Sequence, residues 1–327
     1  MIAGGRPINY LRISVTDRCN FRCRYCVPTK KFSVIPHQRI ARYEEILRIA
    51  RLACRMGITK VRITGGEPFV RKGIFSFLEQ LCAIEGLQDI AVTTNGSQLN
   101  AQRIQSLRDM GITRLNFSLD TLDPAIFEAI TGRNRFENVW NAIMAAHEAG
   151  MAPIKINAVA LRGVNDHEIP QLAGLTRKYP FHIRFIEYMP MGDSQVEQQQ
   201  QILAQEIRER IESVLGTLTP VPREANDGPA KKFRLPDGQG VVGFITPISS
   251  HFCAQCNRLR LTSRGTLRPC LLNDYEEDIL GPLRAGASEA DLEDIIRAAL
   301  KKKPMDHHLE AGKSKEIPVS HMTSIGG

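Results

Sequence analysis

Six short runs rich in β-branched residues alternate with amphipathic helical patterns over the first 190 residues, and no other feature constrains the fold as tightly. The strand candidates are Tyr10–Val15, Lys60–Thr64, Ile90–Thr94, Arg114–Leu119, Ile154–Ala160 and His182–Glu187. Between them, apolar spacing predicts helices over Tyr43–Met56, Ile74–Ile84, Ala101–Met110, Arg135–Ala149 and His167–Lys178. A strand regained through a crossover helix lies parallel to its predecessor. Six units fall short of the eight that close a barrel. The expected architecture is α/β: an incomplete (β/α)6 TIM-like barrel, with its chemistry where the loops meet at the C-terminal ends of the strands.

After Glu187 the rhythm changes. Gln195–Gln201 reads as an exposed linker into a helix, Gln201–Leu215, and short strands follow at Lys231–Leu235, Val241–Ile245, Arg258–Thr262 and Thr266–Arg268. A helix over Ser288–Lys303 opens with a Ser–Asp pairing of the N-cap kind. Its closing Lys301-Lys302-Lys303 reads as dipole compensation on a solvated face. The 327 residues thus divide into a barrel domain, 1–194, a smaller α+β C-terminal domain, 195–310, covering the barrel's open side, and an extended tail, 311–327.

No stretch approaches the roughly 18 apolar residues that cross a bilayer. The N-terminus lacks the apolar core of a signal peptide, so the expected location is the cytoplasm. The net charge of +8 and a pI near 9.1 point to an anionic partner, nucleic acid or a phosphorylated small molecule. Aromatics are only 6% and do not interleave with basic residues, which counts against single-stranded nucleic acid.

Eight cysteines without an export signal are expected as reduced thiols, so their spacing concerns metals. Cys19-x3-Cys23-x2-Cys26 directly follows the first strand. Three such thiolates can hold three irons of a four-iron cluster and leave the fourth open. A structural zinc site would want a fourth ligand, and the nearest, His37, is eleven residues beyond Cys26. Cys253-x2-Cys256-x13-Cys270 forms a second set, either three ligands of a zinc ribbon with His251 or a second cluster with an open iron. Arg258 and Arg260 lie two apart on one strand face and could clamp a phosphate. Cys54 and Cys82 read as small core residues. The other histidines, including His307, His308 and His321, show no metal spacing.

The segment Cys19-Asn20-Phe21-Arg22-Cys23-Arg24-Tyr25-Cys26 resembles the signature of the radical S-adenosylmethionine superfamily. Further segments are similar to the GTP 3′,8-cyclase family of molybdenum cofactor biosynthesis. They are Phe252 to Thr262 with Arg268-Pro269-Cys270-Leu271, Thr16-Asp17-Arg18, Arg62 to Pro68, Asn116 to Asp120, Lys155-Ile156-Asn157, Arg184 to Pro190 and the terminal Gly326-Gly327. One departure is Arg264-Gly265, where that family more often carries an acidic residue before glycine.

The resemblance implies two 4Fe-4S clusters, on Cys19, Cys23 and Cys26 and on Cys253, Cys256 and Cys270, with S-adenosyl-L-methionine on the open iron of the first. Tyr25, Gly66, Ser118 and Met189 would hold that cofactor. Thr93, Arg12, Arg62, Lys155, Arg184, Arg258, Leu259 and Arg260 would hold GTP. Several unpaired cations inside a barrel carry a large desolvation cost, so an anion belongs among them, and a triphosphate has the charge. Gly326 and Gly327 would thread into the active site. The implied reaction converts GTP to 3′,8-cyclo-7,8-dihydro-GTP through 5′-deoxyadenosyl radical chemistry. The implied partners are GTP, a low-potential electron donor and, downstream, a cyclic pyranopterin monophosphate synthase, with no membrane or nucleic acid and with a homodimer left open. The alternative is a radical enzyme that modifies a peptide and carries one auxiliary cluster.

Overall fold

A computed structural model describes residues 1–27, 34–192, 194–224, 228–306, 318, 320 and 322–326. A small ladder, β1 (Ile2–Ala3) with β2 (Arg6–Pro7), leads into β3 (Tyr10–Ser14). Strands β4 (Lys60–Thr64), β5 (Asp89–Thr94), β6 (Arg114–Ser118), β7 (Lys155–Val159) and β8 (His182–Ile186) then follow in parallel and in chain order. Five lie within the runs expected to be strands, trimmed by at most one residue at an end, and β5 extends its run by one at Asp89.

The connecting helices are α1 (Tyr43–Arg55), α2 (Ile74–Cys82), α3 (Ala101–Asp109), α4 (Pro124–Thr131), α5 (Phe136–Glu148) and α6 (Ile169–Lys178). Helix α4 is an addition to the expected elements, though its start is written in Asp123-Pro124. Asp123 Oδ1 accepts from the Ala125 and Ile126 amides, proline fits the first helical turn, and Gly132 ends the helix at φ 67°.

The C-terminal segment does not form a separate layer. After α7 (Ala204–Leu215) come β9 (Thr219–Pro220), β10 (Lys231–Arg234) and β11 (Val241–Ile245), and β11 pairs in parallel with β8. Then β12 (Arg258–Leu261) pairs in parallel with β3, at the opposite edge. Antiparallel β13 (Thr266–Arg268) and β14 (Glu277–Asp278) continue outward from it. The partial barrel is therefore flanked on both open edges within one twelve-stranded sheet.

Helices α8 (Leu280–Arg284) and α9 (Glu289–Lys301) complete this segment. Ser288 and Asp291 cap α9 reciprocally, Asp291 N donating to Ser288 Oγ at 3.2 Å and Ser288 N to Asp291 Oδ2 at 2.9 Å. The tail departs from the extended form expected of it: Met322–Ile325 is a short helix, α10. Gly327, His307, His308 and His321 lie outside the described residues.

Alternation along the strands runs opposite to that of a greasy barrel. Leu11, Ile13, Val61, Ile63, Leu115, Phe117, Ile156, Ile183, Phe185, Leu259 and Leu261 are all buried in the cluster between sheet and helices. The residues between them face the barrel interior and are largely polar or charged. The hydrophobic core is thus a shell outside the sheet, which leaves the centre for chemistry. Phe117 is fully buried in that shell, so Phe117→Ala should cost about 3–5 kcal/mol, read as a lowered urea midpoint of the reduced, metal-free chain.

Candidate active site

Pairs of residues two apart build the interior wall, and the register stacks them. Arg260 on β12 lies beside Arg12 on β3, which lies beside Arg62 on β4; one level down, Arg258, Tyr10 and Lys60 align in the same way. Farther round the sheet, Asn157 on β7 lies beside Arg184 on β8. These side chains, with Thr93, Ser118 and Lys155, line a cavity of about 360 Å³. All six cysteines of the two sets line the same cavity.

The wall is strongly cationic. Asp89 pairs with Lys60 at 2.9 Å and with Arg114, and Arg184 donates to Asn116 Oδ1 at 2.6 Å. Burial, reinforced by Arg184, Arg114, Arg62 and Lys60, brings the Lys155 ammonium down to about 6. Burial and Arg62 bring Arg184 down to about 9. Buried hydrogen-bonding atoms are also left over: Arg62 Nε, Arg184 Nε, Thr93 Oγ1 and Asn157 Oδ1 have no partner. Such atoms are uncommon in a closed core and mark a space shaped for a polar occupant.

The first cysteine loop is pinned by its backbone to α4. Arg22 N donates to Thr131 O at 2.8 Å, Arg24 N to Ile130 O at 3.0 Å, and Cys26 N turns back to Cys23 O at 2.9 Å. Burial pushes the Cys19 thiol up to about 11, and burial with the neighbouring thiols and Asp120 raises Cys23 and Cys26 further. Thiols held protonated beside carboxylates become ligands when a cation arrives. Glu67 and Asp120 are themselves raised by burial, to about 7 and about 6, despite the hydrogen bonds each carboxylate accepts. Among the described residues, neither cysteine set brings its three sulfurs within 4.8 Å of one another; only His251, Cys253 and Asp306 form such a group. Each triplet offers three sulfur donors to one cavity, a donor set that suits a four-iron group with one iron left open.

Around this loop, Tyr25 OH donates to Asp120 Oδ2 at 2.7 Å, and Asp120 Oδ1 accepts from Val159 N at 2.8 Å. Gly66 serves first as a close-packing residue: a Cβ there would overlap the Arg18 carbonyl, and its N–H is taken by Thr16 O at 2.7 Å. Met189 lines the cavity and packs against the small cluster of Met191, Ile248, Leu272 and Ile325.

At the second set, burial opposes the Cys256 thiolate, but Arg258 and Lys303 outweigh it and bring the thiol down to about 6. This corrects the reading of Lys303 as a solvated end of α9. Lys303 is buried, and its Nζ donates to Arg258 O and Pro269 O, each at 2.7 Å, and reaches Cys256 Sγ at 3.5 Å. Lys301 and Lys302 are exposed, as expected. Leu259 points away from the cavity into the outer shell, so only its backbone can touch a ligand. Arg264 sits exposed in the β12–β13 turn, away from the cavity.

The tail reaches the wall. Arg260 Nη1 donates to Gly326 O at 2.8 Å, and Gly326 is buried at φ 75°, where a Cβ would overlap Thr64 Oγ1. Sequence reasoning missed Lys60, Tyr10, Asn157, Glu67, Asp120 and Lys303. A signal existed for the first three, which repeat the two-residue spacing of Arg12, Arg62 and Lys155. Lys303 gave none, because its burial depends on strands more than thirty residues upstream.

The first half of the chain and its cysteine loop define a radical S-adenosylmethionine enzyme: the profile of the Radical SAM superfamily matches residues 13–176, and that of Molybdenum Cofactor Synthesis C matches 181–309. Within that superfamily the chain belongs to the GTP 3′,8-cyclase family. It is 49% identical over 322 residues to the GTP 3′,8-cyclase of Moorella thermoacetica, covering 98% of both chains. The GTP 3′,8-cyclase of Desulforamulus reducens is 46% identical, again over 98% of each. The fold is also similar to that of Streptococcus suis SuiB, at TM-score 0.59 and 18% identity, covering 84% of this chain and 63% of that longer one. A similar fold occurs in anSMEcpe with bound AdoMet, at TM-score 0.58 and 13% identity, covering 93% and 84%.

Gly326→Ala should detach the tail. The left-handed backbone and the overlap together cost about 1–2 kcal/mol, so amide exchange over 322–326 should quicken about five- to thirtyfold while the barrel strands stay protected.

Proposed function

We propose that the cavity binds GTP between two iron–sulfur groups and that the chain converts it to 3′,8-cyclo-7,8-dihydro-GTP, the first step of molybdenum cofactor biosynthesis. The observation that carries this reading is the convergence of six cysteines and six cationic side chains, Arg12, Arg62, Lys155, Arg184, Arg258 and Arg260, on one cavity. The peptide-modifying alternative rests on fold likeness alone, whereas the GTP 3′,8-cyclases match this chain from end to end.

In this reading residues 1–194 form the radical domain, 195–310 the domain of the second cluster, and 311–327 the closing tail. Cys19, Cys23 and Cys26 would hold a cluster with S-adenosylmethionine, which together would supply a 5′-deoxyadenosyl radical. Tyr25 and Met189 would hold its adenine, Ser118 its carboxylate or ribose, and the backbone of Gly66 its methionine amine. Cys253, Cys256 and Cys270 would hold a second cluster rather than zinc, and its open iron would bind the guanine.

The chain's own residues then orient the substrate. Arg12, Arg62, Lys155 and Arg184 from the barrel, with Arg258 and Arg260 across from them, hold the triphosphate, and Thr93 offers its spare hydroxyl. The Leu259 contact is through its backbone. That grip places ribose C3′ within reach of guanine C8, so that loss of hydrogen from C3′ is followed by C3′–C8 bond formation. One electron and one proton complete the product. Gly326, held by Arg260, closes the cavity against water, the role the family resemblance also gives Gly327. The electron comes from a low-potential donor, and the product passes to a cyclic pyranopterin monophosphate synthase. Among the described residues no helix is long and apolar enough to cross a membrane, in keeping with a cytoplasmic enzyme.

Anaerobically reconstituted protein should carry about eight irons per chain and release 5′-deoxyadenosine in response to GTP. The chain lacking Gly326 and Gly327 should keep its iron and lose GTP turnover. Peptide-dependent release without a GTP response would overturn the reading.

Lys155 makes binding pH-dependent. The free ammonium titrates at about 6, and a bound triphosphate pulls it back toward its ordinary value, so GTP binding near pH 8 should take up about one proton. Affinity should therefore fall as pH rises above about 6. Calorimetry in two buffers of different ionisation enthalpy reads the uptake, and Lys155→Met should abolish it.

A further inference from the structure

Three buried cations stand behind the second cysteine set, outside the substrate cavity. Arg6, from β2, donates from Nη1 to Cys253 O at 2.6 Å, and its other nitrogens serve backbone carbonyls of Ala3, Lys303 and Pro304. Arg268 is fully buried and donates to Cys270 O at 3.1 Å, but its charge is matched by Asp274 at 2.9 Å and Glu276 at 3.1 Å. Lys303 differs from both because it reaches a sulfur.

The Lys303 ammonium has three protons and three acceptors. Arg258 O lies two residues past Cys256, Pro269 O immediately precedes Cys270, and the third acceptor is Cys256 Sγ. One ammonium thus clips both arms of the cysteine-bearing hairpin. Among the described residues it has no carboxylate partner, so the sulfur is its counter-charge. Helix α9 makes this placement possible: Leu292, Ile296, Ala299 and Leu300 seat it on the sheet, and the chain beyond turns Lys303 inward while Lys301 and Lys302 face solvent. The side chain does not border the cavity, so it acts on the reaction only through what it holds, Cys256 and the backbone at Arg258 and Pro269.

We propose that Lys303 is a positioning residue of the second site, holding Cys256 as a ligand and supplying a fixed positive charge that stabilises the reduced form of the group bound there. The inference rests on the reading of that site as an iron–sulfur cluster. An added electron increases the cluster's negative charge, and a buried cation with a hydrogen bond to its sulfur favours that state.

The test is a potentiometric titration of the full-length, reconstituted protein, following the EPR signal that GTP perturbs and S-adenosylmethionine does not. Iron and acid-labile sulfide are counted on the same samples. Lys303→Met should shift that midpoint to more negative potential, or lose the second set of about four irons, and Lys303→Arg should restore both. An unchanged midpoint in Lys303→Met overturns the proposal. So does a Lys303→Arg protein that behaves like Lys303→Met, which would make the lysine a packing element. Wild-type protein with only about four irons overturns this inference together with the two-cluster reading beneath it, and it is seen before any variant is made.

Discussion

Positive charge buried at the centre of the sheet is the constraint on which the rest of the molecule depends. Removing an arginine or lysine from water is costly unless something answers the charge. Here Asp89 answers Lys60 and Arg114 at one end of the strands, while Arg184 and Arg260 meet the neutral oxygens of Asn116 and Gly326. The cost is met by a fold whose stability is generated elsewhere, in the continuous apolar shell between strands and helices. That separation lets the interior be unfavourable to itself and favourable to an anion.

The parallel register converts this into geometry. Because β3, β4 and β12 align residue for residue, Arg260, Arg12 and Arg62 form one tier without any loop having to place them. The cysteine loops, by contrast, depend on local clamps. Backbone bonds to α4 fix the first, and buried cations behind the hairpin fix the second. Rigid strands carry the substrate's charge, and loops carry the metal ligands.

Much of this was legible in the sequence because it is periodic or local. The six barrel strands, the cysteine spacings and the Ser288–Asp291 cap are written in adjacent residues. The inward cations were legible too, since Arg12, Arg62, Lys155 and Arg184 each interrupt an apolar run. What was not legible depends on distant pairing. Nothing near Arg258 says that its strand will lie against Tyr10 rather than in a domain of its own, and the pairing of β11 with β8 is equally silent. Lys303 was misread for the same reason: a lysine after two exposed lysines looks like surface until the strands it serves are known. The tail was expected to be extended, yet a short helix sets Gly326 against Arg260.

The edge pairings also order events in time. As the chain is made, the six barrel strands emerge with both outer edges bare, and such edges invite pairing with other chains. One edge is covered when β11 appears and the other only when β12 does, nearly 250 residues after the strand it meets. Contacts of such separation form slowly. Gly326 can be seated against Arg260 only after β12 has itself been made. A chain cut short before β12 therefore has a cysteine loop but no enclosed chamber, so the late edge strands are themselves a safeguard on the chemistry.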